Sequence, residues 1–139
     1  MIGNPTDTSL AVAKLIFSGV LERFPRLTLL LAHAGGFLPY TWGRFDRGYA
    51  IQNSGKRNIS KAPSDYVKLL HFDTITHSPM ALQYLIGNFG ADRVLLGSDY
   101  PYDMGDPEPL TSLSSSHLDP TQMQQVAGAN ARKLFHIES

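Results

Sequence analysis

The sequence contains no cysteine among its 139 residues. Disulfide bonds, thiolate nucleophiles and zinc sites built on cysteine are therefore excluded. It also has no apolar run of the roughly 20 residues that cross a bilayer, and residues 1–5 lack the basic and apolar segments of a secretory signal. We therefore predict a cytoplasmic protein with no membrane partner.

An excess of charge of one sign is missing as well. Twelve Lys and Arg residues balance twelve Asp and Glu residues, and neither sign gathers into a block. Nucleic acid is therefore not an expected partner. The hydrophobic fraction of 42% is enough for a packed core, so we predict a single domain over residues 1–139. That length falls well short of the ~250 residues of a closed eight-stranded barrel.

The sequence does contain amphipathic helical patterns that alternate with short apolar runs. The helical patterns cover residues 8–24, 37–49 and 80–89, and further helices are predicted after Asp119 and over residues 129–135. The apolar runs predict three parallel strands near residues 27–32, 69–73 and 94–98, the second lying within the candidate segment 66–74. This alternation predicts an α/β fold.

Titratable residues follow the predicted strands at the point where each one ends. Asp99 follows the third strand and precedes Tyr-Pro, and His33 follows the first strand and precedes two glycines. Because carboxyl ends of parallel strands form the ligand-binding edge of α/β folds, Asp99 and His33 are predicted to face one pocket within about 10 Å. The alternatives are that Asp99 only caps its loop and that His33 is a core histidine bonded to a carbonyl.

The second predicted strand carries polar residues toward the same edge. Period two places His71 and Asp73 on one face, and His77 follows shortly after. We include His77 in the candidate site as a substrate-binding residue. Its alternative role is a hydrogen bond to the start of the following helix.

Four segments of the chain resemble a known family. They are HAGGFLPYTWGR (33–44), FDTITHSPMALQYLI (72–86), GADRVLLGSDYPY (90–102) and GANARKLF (128–135). Together they look like the C-terminal half of the amidohydrolase-related proteins typified by aminocarboxymuconate-semialdehyde decarboxylase. The resemblance implies a partial TIM-like (β/α) barrel that uses a divalent metal, commonly zinc, to decarboxylate or hydrolyse small, often aromatic-derived carboxylic acids.

The resemblance also implies roles for individual residues. Asp99 matches the metal-bound aspartate, which can also take a proton, and His33 matches the catalytic histidine. Arg44 matches an arginine that reaches the substrate carboxylate from a neighbouring subunit. A homo-oligomer is therefore expected.

The family's remaining metal ligands include a His-x-His pair that this sequence lacks. Its histidines are His33, His71, His77, His117 and His136. Since catalytic zinc needs about three protein ligands, we predict a barrel fragment that binds metal weakly by itself and associates with a missing N-terminal half or with a second copy.

The sequence is also compatible with two other interpretations. The chain could be a non-catalytic barrel remnant that acts as a binding or interaction module. It could also be a small doubly wound domain that holds phosphate with His33, Gly35 and Gly36, although it lacks the GxGxxG and GKS/T phosphate motifs.

Overall fold

Three short parallel strands form the sheet of this chain, whose computed structural model describes residues 1–137. They are β1 (Leu30–Leu31), β2 (His71–Asp73) and β3 (Val94–Leu95), and they lie side by side in that order. Both strand pairs are parallel, with Phe72 at the centre opposite Leu31 on one side and Val94 on the other. The predicted α/β fold with about three parallel strands is confirmed.

Eight α-helices surround this sheet within residues 1–137. They are α1 (Gly3–Phe17), α2 (Val20–Arg23), α3 (Leu38–Ile51), α4 (Pro63–Val67), α5 (Pro79–Phe89), α6 (Pro109–Ser114), α7 (Pro120–Gln124) and α8 (Asn130–Phe135). Short 3₁₀ turns lie at His33–Gly35, Asn53–Lys56 and Ala91–Arg93, and a π-helical turn at Gln125–Ala129 joins α7 to α8. No helix in this part of the chain combines the length and the apolar character needed to cross a membrane.

Several predicted elements have different bounds in the structure, and the first and third strands are shorter than the apolar runs that predicted them. The helix predicted over residues 8–24 begins at Gly3 and is divided at Ser18 and Gly19, because Gly19 adopts a left-handed backbone with φ of 76°. The strand segment predicted from residue 66 is also wrong at its start. Tyr66 lies in α4, since Pro63 with its fixed φ and Asp65 in the first turn favour a helix there.

The core lies between the sheet and the helices that follow its strands. The side chain of Phe72 is completely buried, and its ring packs on that of Phe89 with the ring centroids 4.8 Å apart. The outer strand β1 is different, because Leu30 is 42% exposed and Leu27 just before it is 46% exposed. Parallel strands are normally covered on both faces. The association of this chain with a second copy or another segment stays a prediction, which sedimentation of the isolated chain would test.

Candidate active site

A cavity of about 550 Å³ lies at the carboxyl ends of the three strands. His33 follows β1, His77 follows β2 and Asp99 follows β3, and all three line this cavity. The strands are parallel, so their ends meet at one edge of the sheet and the residues that follow them converge. The structure thus brings together three of the four residues that the sequence singled out.

These three residues share an uncommon backbone conformation. His33, His77 and Asp99 have φ angles of 56°, 52° and 57°, in the left-handed region. Few residues other than glycine adopt this region, although Asp and His do so more readily than most. Strained backbone of this kind tends to gather at functional sites. Each loop that follows a strand therefore has left-handed backbone at a residue that lines the cavity.

Asp73, the last residue of β2, holds the loop that carries His33. Its carboxylate accepts hydrogen bonds from the backbone amides of His33 at 3.1 Å, Ala34 at 2.7 Å and Ile75 at 3.0 Å. The sequence placed Asp73 near the site but did not predict this role. The signal was its position at a strand end beside a strained turn, where free backbone amides need acceptors.

The same carboxyl group gives the protein a pH-dependent stability. Burial raises the pKa of Asp73 above its usual value of about 3.9, and the amides of Ala34, Ile75 and His33 offset only part of this rise. At a pH between the pKa of Asp73 in the unfolded chain and its raised pKa in the folded protein, the folded protein therefore keeps a proton on Asp73 that the unfolded chain has released. The stabilisation linked to this proton is complete below about pH 3.9 and is lost as the pH rises through the raised pKa of the folded state.

We therefore expect the stability of the wild type, relative to an Asp73→Asn variant, to fall as the pH is raised from about 4 toward neutrality. Asparagine is the matched comparison because it keeps one acceptor oxygen and does not titrate. Urea unfolding of both proteins across this range measures the difference. A wild type that gains stability relative to the variant as the pH rises would contradict the expectation.

Aromatic and apolar side chains form the wall of the cavity. Phe37 and Tyr40 come from the start of α3, Tyr84 comes from α5, and Met104 comes from the loop after Asp99. The hydroxyl of Tyr84 donates a hydrogen bond to the carbonyl of Pro39 at 3.1 Å, which ties α5 to α3. A wall of this composition suits a planar apolar ligand, and the few polar groups can fix its orientation. The sequence analysis missed these four residues.

The start of α1 closes one side of the cavity because Gly36 allows a close approach. Gly36 has φ of 64°, and a β-carbon there would overlap the carbonyl oxygen of Pro5 and lie 2.8 Å from Ser9 Oγ. Ser9 Oγ in turn accepts a hydrogen bond from the amide of Phe37 at 2.7 Å. Pro5, which lines the cavity, is thereby held against the loop that carries His33.

Arg44 lies apart from this cavity. It lines a separate, open surface hollow of about 740 Å³ together with Arg47 of α3 and Ser54 of the following turn. Within this chain the structure does not bring Arg44 to His33, His77 and Asp99. Its predicted contact with substrate from a neighbouring subunit stays a prediction.

The donor groups present do not make a metal centre by themselves. Within residues 1–137, no three His, Asp or Glu side chains gather at the spacing that a metal ion requires. His71 does not contribute, because it is the first residue of β2, at the end of the strand away from the cavity, and does not line it. Burial lowers the pKa of its ring. Asp99 can offer a carboxylate oxygen, but about two more protein ligands are needed for a catalytic zinc ion.

His33, His77 and Asp99 lie beyond the carboxyl ends of parallel strands, which is where (β/α) barrels place their active-site residues. A family profile described as amidohydrolase matches residues 2–137 of the chain. The chain belongs to the amidohydrolase family. This confirms the resemblance found in the four sequence segments.

Several relatives of this chain are decarboxylases. The chain is 30% identical to 2-amino-3-carboxymuconate-6-semialdehyde decarboxylase of Dictyostelium discoideum over 99% of its length and 39% of that protein. Its fold matches that of 5-carboxyvanillate decarboxylase LigW from Sphingomonas paucimobilis with a TM-score of 0.87 and 28% identity, covering 98% of this chain and 42% of the other.

A third similarity concerns the fold alone. Dihydroxybenzoic acid decarboxylase from Polaromonas sp. JS666, solved with bound manganese and the inhibitor 2-nitroresorcinol, matches with a TM-score of 0.85 at 24% identity. The match covers 96% of this chain and 41% of that one. The chain thus spans about two fifths of the length of the relatives it matches, and its fold corresponds to part of a TIM-like barrel.

Proposed function

We propose that this chain is part of a metal-dependent decarboxylase of small, aromatic-derived carboxylic acids, with the substrate held in the cavity at the strand ends. The observation that carries the proposal is the convergence of His33, His77 and Asp99 on one cavity with an aromatic wall. The similarity to named decarboxylases over nearly the whole chain supports it.

The residue types in the cavity suit the chemistry of this reaction. Decarboxylation breaks a carbon–carbon bond, releases carbon dioxide and places a proton on the carbon that carried the carboxylate. The site must therefore hold the acid and exchange a proton with it, and Asp99 and His33 are the groups that we assign to proton transfer. His77, and Arg44 from a neighbouring subunit, are proposed to bind the substrate.

The proposal also includes a metal requirement, with a particular ligand and ion. Asp99 is assigned as one ligand of a divalent ion, and the other ligands would come from outside residues 1–137. Zinc is the ion that we predicted, whereas manganese is the ion in the Polaromonas decarboxylase. A second candidate function is a non-catalytic binding module, which the lack of a three-ligand cluster in the described residues favours for this chain alone.

The test compares the 139-residue chain with the full-length product of its gene. Each is incubated with zinc or manganese and with 5-carboxyvanillate or 2-amino-3-carboxymuconate-6-semialdehyde, and released carbon dioxide is measured. We expect turnover from the full-length protein with at least one acid, and none from the 139-residue chain. Binding of the acids without turnover in both proteins would instead support the binding module. The absence of both binding and turnover in the two proteins would overturn both functions.

A further inference from the structure

The imidazole ring of His33 meets a side chain from a distant part of the sequence. Thr8, in the second turn of α1, places its Oγ1 atom 3.2 Å from His33 Nδ1. The contact could have either direction, because a hydroxyl can donate or accept and a neutral imidazole has one nitrogen of each kind. The direction matters, since it decides which ring nitrogen is left as a proton acceptor.

A second contact of the same hydroxyl supports one of these directions. Thr8 Oγ1 donates to the carbonyl oxygen of Asn4, one helical turn earlier, at 3.1 Å. Threonine in a helix commonly makes this bond to the carbonyl four residues back. Because the hydroxyl carries a single hydrogen, its contact with His33 Nδ1 is made as an acceptor.

From these contacts we infer that Thr8 is a positioning residue that holds a proton on His33 Nδ1 and leaves Nε2 as the only proton-accepting atom of the neutral ring. Nδ1 is occupied by Thr8, so Nε2 is the nitrogen available to a ligand in the cavity that His33 lines. This is the tautomer that an imidazole needs in order to accept a proton or a hydrogen bond at Nε2.

The surroundings hold both partners of this contact in place. The amide of His33 is bonded to the Asp73 carboxylate at 3.1 Å, which fixes the loop. The close packing of Gly36 against Pro5 and the bond from Phe37 to Ser9 fix the first turns of α1. The backbone of His33 and the first turns of α1 are therefore held by contacts separate from the Thr8–His33 pair, so the pair does not depend on a bound ligand.

Nitrogen NMR of the His33 ring in the 139-residue chain tests the inference. The spectra are recorded at about pH 8, and the chemical shifts of the two ring nitrogens show which of them carries the proton. We expect a protonated Nδ1 and an unprotonated Nε2 in the wild type. Thr8→Val removes the hydroxyl and keeps the shape, and we expect it to shift the ring toward the Nε2-protonated form that unconstrained histidine prefers. Thr8→Ser should restore the wild-type signals.

The control variant is Thr6→Val in the same helix. Thr6 makes the equivalent bond to the carbonyl of Ile2 at 2.9 Å, so its loss affects α1 in the same way without touching His33. We expect the wild-type tautomer in this variant. A wild-type ring protonated on Nε2, or a ring that Thr8→Val leaves unchanged, would overturn the inference.

The consequence for turnover rests on the proposed function, whereas the tautomer does not. In the full-length protein we expect Thr8→Val to lower kcat about tenfold, with KM little changed and with recovery in Thr8→Ser, as for other residues that orient a functional histidine. A full-length protein without decarboxylase activity would remove the proposed function while the NMR result stands. Unchanged kcat in an active enzyme whose tautomer has shifted would show that Nε2 of His33 is not used.

Discussion

Replacing Asp99 by asparagine is expected to lower decarboxylase turnover of the full-length protein by at least about a hundredfold, the scale of a lost proton-transfer group. Asparagine tolerates the left-handed backbone that Asp99 adopts, so the loop keeps its shape. What the variant loses is the negative charge and the ability to take up a proton. Initial rates of carbon dioxide release measure the loss, and thermal unfolding shows whether the fold has been kept.

Asp103 provides the matched control for this substitution. It is an exposed aspartate in the loop that follows, and it does not line the cavity. We expect Asp103→Asn to keep wild-type turnover and stability. Equal activity of the Asp99→Asn variant and the wild type would remove Asp99 from the chemistry and leave it the loop-capping role that its sequence context also allows.

Gly36→Ala is expected to destabilise the protein, lowering the free energy of unfolding by about 3 kcal/mol. Part of this is the cost of roughly 1–2 kcal/mol for placing a β-carbon on left-handed backbone. The rest is overpacking, because the new carbon would collide with the carbonyl of Pro5 and press on Ser9 Oγ. Chemical denaturation measures the loss.

The control for this variant is Gly43→Ala, in the middle of α3. A β-carbon at Gly43 meets no atom within 4 Å, and alanine is the better helix former by about 0.8–1 kcal/mol. The same chemical change should therefore stabilise the protein at Gly43 and destabilise it at Gly36. A Gly36→Ala variant as stable as the wild type would show that α1 does not pack against the loop that carries His33 as described.

The alternation of apolar runs and helical patterns was enough to predict the sheet and the edge on which the candidate site lies. His33, His77 and Asp99 could be assigned to one edge because each follows a predicted apolar strand, and parallel strands end on the same side. Tyr84 was within reach of the same reasoning, since it lies three residues after Ala81 and next to Leu85, and all three line the cavity.

Contacts between distant segments could not be predicted in this way. Nothing in the pattern around Thr8 indicates that α1 lies against the loop after β1, because that packing depends on the absence of a side chain at Gly36. Arg44 is the opposite case, a predicted contact that is not found at the cavity. Its motif suggested a substrate contact, but the helical phase of α3 directs it to a different hollow from Phe37 and Tyr40.

The position of Met1 has a practical consequence for handling this protein. Met1 lines the cavity and is 97% exposed. In the isolated 139-residue chain, a purification tag fused ahead of Met1 would start beside the cavity and compete with ligands for space. Such a tag should therefore be removed before ligand binding to the isolated chain is measured.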